Sequence, residues 1–573
     1  MLIRFLGVIF VAGFLPCAGI AFAAGGVCPS EANYLNSAGE MVTLASLGIT
    51  DCYFIAANGS DFNTGTAKTS PWQHSPGMPT CSSKCAAHVP SAGEGFIFRG
   101  GDSWNAPDFG IQWNWAGTVS NAIYIGVDKT WYQGNHWARP IWSCGGAPCA
   151  KGGSSYYFQN NGSYTVVDSV EMTGLYLSTN VSPVRYISGC AQNQIYENIY
   201  MHGWSYDPSS PGYATGFAGC GSSGTTIRYT VVDGSDSIVV PTRDTALPCV
   251  PGCKGINTGM LYAVRAGIST AYGNVFRYVQ SAITGCGDDW HDNLVEYLVA
   301  NYQGPSHQDG LYQYAPCAAT TVFMYNNVVR HTTWAASSGV VKFWMSGNNF
   351  NTSTGYAFNN VIYDNYPGNM VDTGGHFGPL NNGGYAACSL STPENCAYGT
   401  WYFFNNTVEC GTRSVPGFCA LGDQGNKQKG LSTGGFMTLV LSNNHWISTT
   451  SKNLVCGQTS FKCKETAALV HSEGRARTEG FTSDSRYAFQ PTRKNGGSVG
   501  SGVNMQSLCS TIAKADINAA TACMSDTSYG CVYLETDHTV NCWARTKVAR
   551  PTIGTWDVGA YQFNAPQASV SVQ

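Results

Sequence analysis

Four times in its later half the chain repeats one short phrase. An aromatic or apolar residue leads, a pair of asparagines follows, and strand-forming residues come next. The copies read Tyr325-Asn326-Asn327-Val328-Val329, Phe358-Asn359-Asn360-Val361-Ile362, Phe404-Asn405-Asn406-Thr407-Val408 and Leu441-Ser442-Asn443-Asn444-His445. They follow one another after 33, 46 and 38 residues. Strand-like runs also occur earlier, at Ala122 to Ile125, Tyr164 to Val167, Ile195 to Tyr200, Ile227 to Val232 and Asn274 to Val279. No long segment has helical periodicity, and glycine and proline punctuate the runs, so the chain reads as all-β. Units this short bury nothing alone and must stack copy on copy. Three strands of about 4 residues plus turns need roughly 20 to 24 residues per coil, so the longer intervals carry inserted loops. Asparagine suits a coil corner because it tolerates left-handed backbone, and its amide can bond from rung to rung. We read the pairs as structural.

The first 23 residues have the form of an export signal. Arg4 supplies the basic end, Leu6 to Leu15 the apolar centre, and Ala21-Phe22-Ala23 a small-x-small cleavage site. The apolar run is too short to span a bilayer, and no later stretch is long enough. A secreted or periplasmic protein is expected. The chain has 23 cysteines; losing Cys17 with the leader leaves an even number. Cys81/Cys85, Cys144/Cys149, Cys249/Cys253, Cys388/Cys396, Cys410/Cys419 and Cys456/Cys463 are close in sequence, which predicts disulfides that pin inserted loops. Zinc is disfavoured because these spacings lack histidine partners. The net charge is −4 without a basic tract, which argues against nucleic acid and membrane surfaces as partners. A monomer is expected.

Two further stretches carry a resemblance. Cys52 to Asp61 ends a strand in Gly59-Ser60-Asp61, followed by Gly65-Thr66 and Ser70-Pro71-Trp72. The chain closes on Arg550-Pro551 and Trp556-Asp557-Val558-Gly559-Ala560-Tyr561. This opening and ending resemble those of exported right-handed parallel β-helix proteins, similar to polysaccharide lyases and related carbohydrate-active β-helix enzymes. The resemblance implies a right-handed parallel β-helix (a solenoid) with disulfide-pinned loops and a C-terminal capping segment. The expected division is a signal at 1–23, an N-terminal cap at 24–51, the β-helix at 52–478 and a C-terminal capping region at 479–573. It also implies an extracellular polysaccharide as substrate. The fold alone hosts lyases, hydrolases, epimerases and adhesins, so side chains must choose among them.

The chemistry-bearing residues concentrate between Gly287 and Phe350. Asp288, Asp289, His291 and Asp292 form one cluster, and His307 and Asp309 a second. Asp309 follows Asp289 by about 20 residues, near one coil, and Arg330 and His331 lie about as far again. Stacked in one column, these residues would form a single site. Uronate β-elimination needs a base and a positive neutraliser. His291 or His307 are the expected bases, with Lys342 or Arg330 as neutraliser. Asp288, Asp289 and Asp292 are candidate ligands for Ca²⁺, the one cofactor considered. Trp290, Tyr312, His331, Trp334 and Trp344 are candidate sugar contacts. Asp289-Trp290-His291-Asp292 is similar to the Asp-Pro-His-Asp motif of uronan epimerases, with Trp290 in place of proline. Paired Asp289 and Asp309 would instead suit a glycoside hydrolase. The reading favours a lyase over a hydrolase, and a non-catalytic glycan-binding protein stands as the third alternative.

Overall fold

A computed structural model describes residues 25–30, 33–35, 40–145, 156–177, 184–189, 191–206, 214–219, 224–236, 260–265, 267–285, 287–298, 310–313, 321–331, 341–343, 354–364, 377–378, 399–410, 437–448, 462–482, 487–542 and 545–564. The expected leader at 1–23 lies outside these residues. Three sheets of 14, 12 and 9 strands hold the stacked coils. Apart from Gly26–Val27, which pairs antiparallel at the edge of the first sheet, the strands pair in parallel with their equivalents in the coils before and after. The chain is a parallel β-helix.

The central coils position everything that follows. The first sheet contains β1 (Ile195–Glu197), β2 (Thr226–Arg228), β3 (Thr270–Tyr272) and β4 (Asp289–His291). After β4 the chain turns at Asp292 and Asn293 into β5 (Leu294–Glu296) of the second sheet, then reaches β6 (Leu311–Gln313) of the third. It returns to the first sheet as β7 (Thr321–Tyr325), and β8 (Val328–Arg330) and β9 (Val341–Phe343) repeat the circuit. Alternation along the first sheet sends Tyr196, Ile227, Ala271, Trp290, Met324, Ala357, Phe403 and Leu441 inward, where they join the core.

The corner between the first and second sheets is an asparagine ladder. The Nδ2 of Asn274, Asn293, Asn327, Asn360 and Asn406 each donates to Oδ1 of the asparagine one coil on, at 3.0 to 3.1 Å. The second amide proton reaches a strand carbonyl, as from Asn327 to Trp290 O at 2.9 Å. The same Oδ1 also accepts a backbone N–H, as from Asn293 N to Asn327 at 3.1 Å. The preceding residue holds the left-handed turn: φ is 56° at Asn326, 57° at Asn359 and 55° at Asp292. The ladder members are separated by 19, 34, 33, 46 and 38 residues. Coil length therefore varies twofold while the corner stays constant, because the extra residues enter elsewhere.

The C-terminal region runs back along the outside of the coils. It includes two short helices, α1 (Gln506–Ile512) and α2 (Ile517–Cys523). Asp516 breaks them apart by capping α2 through Ala519 N at 2.7 Å, and Cys509–Cys523 ties them. A hairpin, β10 (Val532–Leu534) and β11 (Thr539–Asn541), is closed by Cys531–Cys542 and lies over the second sheet. Of the cysteine pairs expected from spacing, Cys81–Cys85 is bonded and Cys144 is in a disulfide. The bonds Cys28–Cys52, Cys509–Cys523 and Cys531–Cys542 join cysteines that spacing did not pair. Among the described residues no helix is long and apolar enough to cross a membrane.

Under the hairpin, His202 bonds Asp236 at 2.6 Å and Glu171 at 3.0 Å, and Tyr200 stacks between its ring and that of His538. Burial disfavours the imidazolium, but the bonds to the two carboxylates prevail and hold the group at about 9, above its ordinary 6.5.

Two outcomes are expected. Asn327→Ala leaves buried partners unbonded in the ladder and lowers stability by about 2–4 kcal/mol, measured by chemical denaturation. The His202 contribution, of order 3 kcal/mol, is complete below pH 6.5 and disappears as pH rises through about 9. In His202→Gln the stability-against-pH curve loses this alkaline slope.

Candidate active site

The expected column does not form. The coil after Asn293 takes 34 residues to reach Asn327, not about 20, so Asp289 stacks in register with Thr270 and Phe323. Arg330 stacks instead with Glu296 and Tyr363 on the second sheet. Its guanidinium is committed there, donating to Glu296 at 2.8 Å and to Tyr529 at 3.2 Å. His331 lies on the same side, bonded to Asp364 at 2.7 Å. Tyr312 and Lys342 are register neighbours on the third sheet, and Tyr312 is buried. Gly310 enters that third sheet through Ile283 N. His307, Asp309, Trp334 and Trp344 lie outside the described residues, as does the side chain of Lys342. The candidates are thus divided over three faces.

Trp290 is not a sugar contact: strand alternation turns it inward, and it is fully buried. Gly287 exists for it, since a Cβ there would stand 2.1 Å from Trp290 Nε1.

What the fold does gather is the outward face of β4. Two columns of outer side chains run down the first sheet. One reads Val166, Ile195, Thr226, Thr270, Asp289, Phe323, Tyr356 and Tyr402. The other reads Asp168, Glu197, Arg228, Tyr272, His291, Tyr325, Phe358 and Phe404. Both are polar in the middle. There, a cleft of about 490 Å³ opens between the sheet and the C-terminal region. Its floor includes Thr226, Arg228, Thr270, Tyr272, Asp289 and His291, and its far wall is Asp516, Asn518, Thr521 and Lys547. The wall residues lie far along the chain and carry no motif, and sequence reasoning missed them.

His291 is the centre of the cleft. Its ring is sandwiched between Tyr272 at 4.8 Å and Tyr325 at 4.6 Å, almost parallel to both. Nδ1 bonds Asp292 at 2.6 Å, and Nε2 faces Asp289 at 3.7 Å. Ser528 from the C-terminal region donates to the other oxygen of Asp292. Burial opposes charge on the imidazole, but Asp289 and then Asp292 outweigh it and raise its pKa. Asp292 is pushed up by burial and pulled down further by its bond to His291, so it stays ionised. Asp289 is different. Burial dominates there, Asp516 adds to it, and the carboxyl rises to about 7 despite His291. Its Oδ1 is buried without a hydrogen-bond partner among the described residues.

Asn326 adds a second unsatisfied group. It lines the cleft, is fully buried, and among the described residues neither amide atom has a partner. At the equivalent corner position Asn359 spends its amide on Ala522 O and Ser525 O. Arg228 is held by Glu197 at 2.6 Å and by Tyr272 at 2.9 Å.

The calcium ligands expected from sequence do not fit. Asp292 is taken up by His291 and Ser528, and the imidazole stands between Asp289 and Asp292, where a cation would have to sit. Among the described residues no three His, Cys, Asp or Glu side chains are placed to hold a metal ion.

No family model and no curated protein matches the chain. Among solved structures it is similar to a rhamnogalacturonan lyase, with 13% identity, covering 73% of this chain and 87% of that one at a TM-score of 0.41. It is similar also to a GH136 lacto-N-biosidase from Eubacterium ramulus, with 14% identity, coverage of 74% and 68% and a TM-score of 0.43. A pectate lyase gives 14% identity, coverage of 91% and 99% and a TM-score of 0.38. The fold rests on the strand pairing itself, and the chemistry on the cleft.

The charge coupling is testable by imidazole NMR. Asp292→Asn removes the anion on Nδ1, and the His291 pKa is expected to fall by about one unit or more; an unchanged titration would show that Asp292 does not set it.

Proposed function

We propose that the chain cleaves an acidic polysaccharide by β-elimination, with Asp289 as the base. The observation that supports this is the Asp289 carboxyl held near 7 beside a cationic His291 in an open polar cleft. A carboxyl at that value is an efficient proton acceptor near neutral pH. His291, its pKa raised by Asp289 and Asp292, takes the cationic role rather than that of the base that the sequence suggested. Its role is to stand, with Lys547, against the uronate carboxylate. Asp289 takes the α-proton, the C–H electron pair becomes the carbon–carbon double bond, and the β C–O bond leaves with its own pair. The departing oxygen takes a proton from water at the open side. Asp292 and Ser528 hold the imidazole in place and charged.

One observation favours a second reading. Asp516 faces the same cleft, and its charge helps to raise Asp289. Two carboxyl groups lining one cleft suit glycoside hydrolysis.

The experiment is incubation with a panel of uronate polysaccharides. Elimination yields unsaturated, ultraviolet-absorbing ends; hydrolysis yields reducing ends without them; binding with no product at all leaves a glycan-binding protein. Asp289→Asn is expected to reduce turnover by about 100-fold or more. Activity should rise through pH 7 as Asp289 ionises and fall at higher pH as His291 loses its proton. A profile flat across pH 6 to 8 would remove Asp289 from the role.

A further inference from the structure

Among the described residues, the outer face of the first sheet is covered at both ends and open in between. Upstream, Phe54, Ile97, Tyr124 and Val166 point outward and are packed under Leu44 and Ile49 of the N-terminal segment, with Ile195 at the edge of that cluster. Downstream, Phe323, Tyr325, Tyr356, Phe358 and Phe404 are packed under Cys509, Ile512, Ala519, Ala520 and Cys523 of α1 and α2. The amide of Asn359 fastens α2 in that position. The polar rungs from β2 to β4 lie between these two covers. From Ile195 to Phe323 there are four strand spacings, so the window is about 19 Å long. Its 490 Å³ is the size of a pocket that engulfs a small ligand, about 300–1,000 Å³. A polymer lying along the helix axis on this face would run into a packed apolar cover in both directions.

The unsatisfied groups lie inside this window. Asn326 is at its downstream edge, where the next equivalent asparagine is already used to hold α2. A buried amide with a free donor and a free acceptor is costly unless something meets it, and two neighbouring sugar hydroxyls present that pair. Lys547, on the far wall, is exposed.

We infer that the enzyme works from chain ends: the window receives the terminal residues of an acidic saccharide, with Asn326 meeting hydroxyls and Lys547 the carboxylate, and excludes the interior of a polymer. This rests on the cleft being the site of saccharide cleavage. Asn326→Gly tests the amide without straining the turn, because glycine accepts a φ of 56°.

The experiment compares product size with viscosity while a uronate polymer is degraded. Expected are mono- or disaccharide products from the earliest time points and a viscosity that hardly falls at a few per cent conversion. A rapid fall with a ladder of long fragments overturns the inference and leaves the proposed reaction intact. Asn326→Gly is expected to raise KM about tenfold with little change in kcat, and Lys547→Ala to lower kcat/KM about tenfold; an unchanged KM in the first or an unchanged kcat/KM in the second overturns the recognition. Should no polymer be cut, the reaction is wrong, and the pocket is judged by calorimetry on the Asp289→Asn chain. Galacturonate and tetragalacturonate should then bind within about twofold of each other. A tenfold gain for the tetramer, or binding of neither, overturns the chain-end reading.

Discussion

The rung-to-rung amide bond of the asparagine corner fixes where every outer side chain of this protein stands. Parallel strands leave their register open to slippage, and a slip of one residue exchanges inside for outside. In each central coil the amide bonds the amide ahead, a backbone N–H behind and a strand carbonyl across the corner. No other register satisfies all of these at once. The consequence is local rigidity with tolerance elsewhere. Coils of 19 and of 46 residues present their outer side chains to the same two columns.

Those columns explain how a histidine in a half-closed site comes to have its pKa raised. Parallel register places Tyr272, His291 and Tyr325 face to face, so the imidazole is screened above and below by rings and meets water only at its edge. Two carboxylates approach along that edge. Had the corner residue been asparagine, as in the coils that follow, only Asp289 would face the ring; Asp292 in that position supplies the second anion and keeps the left-handed turn. One substitution in a structural repeat thus turns a corner into part of an acid–base pair. With Asp292 ionised and committed to His291, burial acts on Asp289, and the two carboxyls separate in pKa.

The repeat and its asparagine corner were legible in the sequence because they follow from local chemistry: a left-handed turn and an amide that must be satisfied. The Asp288 to Asp292 stretch was legible as chemistry for a similar reason, since four ionisable residues in five are unusual in a chain this poor in charge. Its partners were not. Spacing placed Asp309 and Arg330 over Asp289 on the premise of one coil length, whereas coil length here is set by insertions that carry no periodic signal. Strand alternation alone would have removed Trp290 from the sugar contacts, because Asp289 and His291 cannot face outward unless Trp290 faces in. Asp516, Asn518 and Lys547 belong to a segment whose path back along the coils depends on distant contacts, Asn359 to Ala522 and Ser528 to Asp292 among them.

A stacked coil has a flat exterior, and a flat exterior binds extended chains more readily than it encloses anything. Enclosure here comes from the two ends of the chain. Each end covers the apolar outer rungs nearest to it, which would otherwise be an exposed hydrophobic face. Where the covers stop follows the first of the two columns, which turns polar at Thr226 on one side and apolar again at Phe323 on the other. The same change of residue type that ends the packing begins the cleft. Moving that boundary by one rung, for example by placing an aromatic at Thr270, would extend the cover and shrink the cleft without altering a single backbone bond in the sheet.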